Sequence, residues 1–290
     1  MSTKTTTADT RPLTESIRRI VDSGKISLPP LPDLVNRLMK LLEDQRGTSS
    51  RKVADLVGTD PAVAATVLKW ANSAAFGGLS QVSDLSLAVA RLGFKQVTSV
   101  VTTLAHSGYF HSDNPARARM IGSLWEHAVM TAMASRHIAG LSGTEPEESF
   151  VSGLLHDTGK LLVLRAVDQI EAKETSDITP VVMDELMTIL HTELGHMILS
   201  KWHLPEPICL AALHHHDDEP EENHRLAIQV QAADAIAHKV ALGSSADPDL
   251  DLMSLPAVEY LNLTDIELAS IMVDLEDEVA EVTRLFGQAG

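Results

Sequence analysis

Apolar residues recur along this chain at three- and four-residue spacing, the period of a helix with one buried face. Leu13, Ile17, Ile20 and Val21 open the pattern, and Leu34, Leu38, Leu41 and Leu42 repeat it after the proline-stiffened stretch SLPPLPD. Gly47 and TSS end that second helix, and SRKVADLVG predicts a short third. In TDPAVAATVLKWANSAAFGG, Asp60 is placed to cap a helix and Pro61 falls in its first turn, where a missing N–H costs little. Val63, Val67, Leu68 and Ala71 form its face, and Gly77 and Gly78 stop it. SDLSLAVARLGF repeats the logic, with Ser83 as cap, Leu87, Ala90 and Leu92 as apolar contacts and Gly93 as the break. KQVTSVVTTLAHSGYF is β-branched enough to suggest a strand, but its helical surroundings decide for a helix.

The polar stretch HSDNPARAR, 111–119, predicts a boundary. Beyond it the spacing predicts helices over 121–139, 147–166, 180–201, 205–216 and 223–242. GSSADPDLDL reads as a loop, and the tail as a terminal amphipathic helix with Leu268, Ile271, Leu275 and Val279 on one side. Packing of that face within its own chain is the default expectation. The fold class expected is all-α. Its parts are a flexible arm (1–12), an N-terminal helical unit (13–112), a second helical unit (113–245), and a loop and helix (246–290) that pack on the domain.

Composition narrows the class. The 290 residues allow one large domain or two smaller ones. Aromatics make up only 3%, so the core is aliphatic and Ala-rich, which suits packed helices. A net charge of −17 repels phosphate backbones and argues against nucleic-acid binding; no basic recognition helix offsets it. The single cysteine, Cys209, and an N-terminus without an apolar signal segment lead to the expectation of a cytoplasmic protein. No run approaches the ~18 apolar residues that a membrane span needs.

The histidines change the picture. All 13 lie between His106 and His238. GLLHDTGK, 153–160, sets His156 and Asp157 side by side inside an apolar run, either as a satisfied polar pair or as part of a metal site. His127 in LWEHAVM, His191 in TILHTELG, the triplet His214–His215–His216 and Asp234 in VQAADAIA also have apolar neighbours. Each taken singly reads as a surface or hydrogen-bonded residue. Burying them all without partners would cost several kcal/mol apiece, and aiming them at a shared cation removes that cost. Imidazole and carboxylate donors suit Fe, Mn, Zn or Ni, and the lack of thiolate ligands argues against a structural Cys-type zinc site.

The order His127, His156–Asp157, His191, His215–His216, Asp234 resembles the HD-domain superfamily of metal-dependent phosphohydrolases, including the extended set of its HD-GYP branch. LPPLPDLVNRLMKLL, DPAVAATVLKWANSAAFG and AVARLGFKQV look like the HDOD domain, an HD-related output domain of bacterial signalling proteins. The resemblance covers about residues 15–285. It implies an N-terminal helical bundle (the HDOD subdomain, 13–112) packed against a C-terminal HD-domain-like bundle (the metal-site subdomain, 113–245). It also implies a site of one or two ions. His127, His156, Asp157 and Asp234 would hold the first, and Asp157 would bridge to a second held by His191, His215 and His216. His214 is left out, and the triplet leaves the register open by one residue. Lys160 is either a catalytic partner of Asp157 that meets a phosphate oxygen, or a solvent-facing residue after a helix break at Gly159.

The function implied is a signal-transduction output module with a signalling protein as partner and a structural or sensory metal. The alternative is a metal-dependent phosphohydrolase acting on a nucleotide or other phosphate ester. Two cations sharing a carboxylate can activate water and clamp a phosphate. The double histidine is followed by DDEPEENHRL, with no Gly-Tyr-Pro loop, so a c-di-GMP phosphodiesterase is not expected.

Overall fold

The aliphatic stripes fold as helices. The computed structural model describes residues 10–26, 32–43, 48–73, 81–109, 115–174, 178–218, 224–240 and 247–286. Among the described residues there are helices and one 3-10 turn at Leu252–Ser254, and no strand. The all-α expectation holds. Gly47, Gly77 and Gly78, expected to stop helices, lie outside the described residues.

The N-terminal half comprises α1 (Arg11–Asp22), α2 (Asp33–Glu43), α3 (Ser50–Val57), α4 (Pro61–Ala71), α5 (Leu85–Leu92) and α6 (Phe94–Ser107). Asp60 caps α4 as expected, its carboxylate accepting from the Ala62 and Val63 N–H groups at 2.9 and 3.3 Å. The cap of α5 is Asp84 rather than Ser83, accepting from the Leu87 N–H at 2.9 Å. The buried face also differs from the one expected: Ala88 and Val89 are buried, while Leu87 is 60% exposed and Ala90 is exposed. Gly93, at φ 82°, forms the corner that ends α5 and starts α6. The β-branched segment that could have been a strand is α6, packed against α2, α4, α5 and α8 and burying Val97, Val100 and Val101.

Two chain segments differ from the expected boundaries. α7 (Pro115–Ser142) begins inside the polar HSDNPARAR stretch and runs for 28 residues, about 42 Å. Arg117 explains part of that extension, since its guanidinium bonds Asp168 and Glu171 on the neighbouring helix at 3.1 and 2.7 Å. The helix expected over 147–166 is two, α8 (Pro146–Leu155) and α9 (Thr158–Glu174), with His156 and Asp157 as the turn between them. Thr158 closes that turn by donating its hydroxyl to the Leu155 carbonyl at 2.7 Å.

The remaining helices are α10 (Pro180–Lys201), α11 (Glu206–His214), α12 (Arg225–Val240), α13 (Pro256–Tyr260) and α14 (Asp265–Phe286). Leu268, Ile271 and Leu275 are buried, and α14 packs on α7 and α4 of its own chain. The side chain of Val279 lies outside the described residues. α1 packs on α9 and α10, tied by an Arg18–Glu193 ion pair at 2.8 Å. Just before it, Thr10 is buried and donates to Glu185 at 2.9 Å. One continuous aliphatic cluster runs from Ile17 through the α6 valines to Leu275. Among the described residues no helix is long and apolar enough to cross a membrane.

Candidate metal centre

Five chain segments bring their polar residues to one place. α7 carries His127, the α8–α9 turn carries His156 and Asp157, and α10 carries His191. The turn after α11 carries His215 and His216, and α12 carries Asp234. Two glycines let these segments approach. A Cβ on Gly153 would stand 2.7 Å from the Thr131 carbonyl oxygen of α7. A Cβ on Gly159 would collide with the His191 carbonyl oxygen and stand 2.7 Å from the Gly195 N. Gly159 therefore does not break a helix. It lies in the first turn of α9 and supplies clearance for α10. A buried Ser149–Gln229 hydrogen bond at 2.6 Å fixes α12 against α8.

The centre of the cluster is Asp157. Its Oδ2 faces one group, with His156 Nε2 at 3.3 Å and His127 Nε2 at 3.7 Å. Its Oδ1 faces another, with His191 Nε2 at 3.6 Å and His215 Nε2 at 3.9 Å. Asp234 Oδ1 joins the first group, 2.8 Å from His127 Nε2 and 3.6 Å from His156 Nε2. Donor atoms around a cation at ~2.1 Å stand ~3.0–3.4 Å apart. The separations here, 2.8–3.9 Å, bracket that range.

Hydrogen bonds fix which imidazole nitrogens carry lone pairs. Nδ1–H of His156 donates to the Gly153 carbonyl at 2.7 Å, that of His191 to Met187 at 2.8 Å, and that of His215 to Ala212 at 3.0 Å. In the neutral ring each Nε2 is then the acceptor, the tautomer that a metal ligand needs. Two such lone pairs, on His191 and His215, face each other at 3.3 Å with no proton to share. His156 Nε2 and Asp157 Oδ1 are buried without a hydrogen-bond partner. A cation on each side of Asp157 satisfies all of these atoms, so the residues present fit the metal.

The electrostatics agree. Burial opposes charge on His156, but the carboxylates of Asp157 and Asp234 overcome it and raise the imidazole to about 10. Burial likewise opposes ionisation of Asp157, and the His156 and Lys160 charges hold its carboxyl well below the usual range. Burial pushes His191 down to about 4 and holds His215 well below 6.5, so both stay neutral. The pocket thus offers neutral His191 and His215 imidazoles and anionic carboxylates, and the charge those carboxylates hold on His156 marks the place where they favour a cation. Lys160 turns inward, its ammonium bonded to Asp157 Oδ2 rather than reaching into solvent.

The triplet separates cleanly. His215 is buried in the cluster, His216 is exposed at its edge 5.0 Å from the His191 ring, and His214 turns away to bond Asp217 at 2.7 Å. A cleft of about 490 Å³ opens beside the cluster, walled by Arg119, Ser123 and His127 of α7 and Asp184, Thr188 and His191 of α10. Lys160 and His216 also line it.

Three residues escaped the sequence reading. His238 stands 3.5 Å from Asp234 Oδ1, and its four-residue spacing from Asp234 was a readable signal. His106, on α6, is fully buried near His156, and burial with the His156 charge lowers it to about 3. Nothing in its local sequence marks it. Arg119 was hidden in the polar stretch that reads as a boundary, although 119, 123 and 127 share a helical stripe.

The fold and the cluster together define a helical protein built around a His–Asp centre with donors for cations. The chain belongs to the HDOD domain family, whose model matches residues 28–218. An HDOD domain protein of unknown function from Geobacter sulfurreducens shares 25% identity and a TM-score of 0.71, covering 97% of this chain and 99% of its own. A protein from Shewanella amazonensis, provisionally assigned as a metal-dependent phosphohydrolase, has the same fold at 20% identity and a TM-score of 0.70, over 91% of this chain and 98% of its own. An uncharacterized protein from Treponema pallidum is 28% identical over 205 residues, 67% of this chain. This match spans 39% of that relative's length.

Proposed function

We propose that the chain is a bacterial, cytoplasmic signal-transduction output module of the HDOD type, and that its His–Asp cluster holds a two-metal centre. Family membership supports the first part. The observation that carries the second is the division of Asp157, with Oδ2 turned to His127 and His156 and Oδ1 turned to His191 and His215. His127, His156, Asp157 and Asp234 would hold one ion, and His191, His215, His216 and Asp157 the other. Nitrogen-rich sets of this kind favour Fe, Zn, Mn or Ni over Mg or Ca. The module's partner is a signalling protein.

Elemental analysis of chain purified without chelator tests the centre. One to two transition-metal ions per chain are expected, and Asp157→Asn is expected to lose most of both. Less than ~0.2 ion per intact chain would overturn the assignment, because a preorganised site of this donor count retains its metal.

A second reading, metal-dependent phosphohydrolase, draws on the cleft. Arg119 and Lys160 line it beside the cluster, where they can meet the oxygens of a phosphate ester. The bound metals would supply an activated water. Lys160 would neutralise charge developing on phosphorus, and His191 and His216 would border the substrate. Turnover of generic phosphodiester or nucleotide substrates with added Mn or Fe, abolished in Asp157→Ala, would favour this reading over the module alone.

A further inference from the structure

The family match ends at residue 218, so α12 lies beyond it. α12 brings two side chains to the centre. Asp234 was expected there. One turn later, on the same stripe, is His238. Its Nε2 stands 3.5 Å from Asp234 Oδ1, and its ring centroid is 4.6 Å from that of His127.

Asp234 Oδ1 therefore has three imidazole nitrogens around it, from His127 at 2.8 Å, His156 at 3.6 Å and His238 at 3.5 Å. The spacing to His238 falls within the ~3.0–3.6 Å between neighbouring donors on a five-coordinate cation at ~2.1 Å. One donor atom each from His127, Asp234 and His238 lies within 4.8 Å of the others. The helix end that carries His238 is held in place. Its carbonyl accepts from the Asp247 N–H at 2.9 Å, and the Lys239 ammonium bonds the Leu250 carbonyl at 2.7 Å. A ligand on a fixed helix end needs little reorganisation to bind. His238 also lines the cleft, so it approaches the ion from the side open to solvent, opposite the buried His156.

We infer that His238 is a direct ligand of the ion beside Asp234, giving that ion three imidazoles and two carboxylates. The inference rests on the metal-centre reading above and extends it to a residue outside the family match. It makes this position more nitrogen-rich and raises its preference for Fe, Zn, Co or Ni. It also leaves the ion fewer places for water or substrate.

Cobalt(II) provides the test, since its visible absorption reports coordination number and ligand type. Full-length apo chain is titrated with Co(II) in four forms: unchanged, His238→Ala, His238→Gln and, as control, His156→Ala. Circular dichroism checks that each variant is folded. Both His238 variants are expected to bind one Co(II) at least tenfold more weakly with an altered absorption band, while the ion beside His191 is retained. A glutamine that restores wild-type affinity and spectrum would mean that His238 only hydrogen-bonds Asp234, and would overturn the inference. So would weakened binding with an unchanged spectrum, or no change in either variant. If the unchanged chain takes up no Co(II), the metal-centre reading itself fails, and the inference falls with it.

Discussion

Gly159 shows how much one missing methyl group decides. The His–Asp turn reaches His191 only because α9 and α10 touch backbone to backbone at this residue. Gly159→Ala must push the helices apart or shift the turn. Overpacking of this kind costs about 3 kcal/mol. Urea unfolding of the variant is expected to show that loss, together with a fall in metal content. An unchanged midpoint would contradict the contact. Asp157 and Lys160 belong to the same scale. The carboxylate was legible as a candidate because an acid beside a histidine is out of place in an apolar run. The inward turn of Lys160 was not legible, since nothing in TGKLL distinguishes a lysine that bends back to its own turn from one that reaches into water.

At the scale of elements, caps and ties set the register. Asp84 rather than Ser83 starts α5, so Asp84→Ala is expected to cost about 1 kcal/mol and Ser83→Ala much less. Thermal melts of the two variants distinguish them. Either residue is a good cap by type, and it is Asp84 whose side chain accepts from the Leu87 N–H. α14 is tied to α7 by a 3.0 Å contact between His137 and Glu278, and that hydrogen bond raises the imidazole above its usual 6.5. A group whose folded pKa is raised stabilises the fold fully below its unfolded value, and the contribution is lost as pH climbs through the folded one. The melting difference between wild type and Glu278→Gln is therefore expected to be largest just below His137's usual 6.5 and to shrink as pH rises through its raised folded value. A difference that grew with pH would contradict the pairing. The break of the expected 147–166 helix has a similar cause. Helical periodicity continues through GLLHDTGK, and only the demands of the cluster on His156 and Asp157 interrupt it.

On the scale of the whole molecule, the centre draws on α7, the α8–α9 turn, α10, the turn after α11 and α12, so the proposed metal would couple to the fold. A cation bound by the native arrangement and not by the unfolded chain stabilises the native state by mass action. Chelation is expected to lower the melting temperature by about 5 °C or more, with recovery on adding Zn or Mn. In Asp157→Asn the chelator should have little effect. Equal melting with and without chelator in the metal-replete wild type would show that the cluster stands without its ions.

The sequence by itself determined the helical class, the main apolar faces and which residues were candidates for the centre, because helical period and polar residues in apolar surroundings are local signals. The chain segments that resemble the HDOD domain pointed to the family for the same reason. Tertiary structure alone decided which histidine of the triplet turns inward, where Lys160 points, that His106 is buried, and that His238 stands beside His127. Those outcomes depend on the approach of helices far apart in the chain. Backbone clearance at Gly153 and Gly159 and the shared electrostatics of Asp157 set that approach, and no window of neighbouring residues contains it.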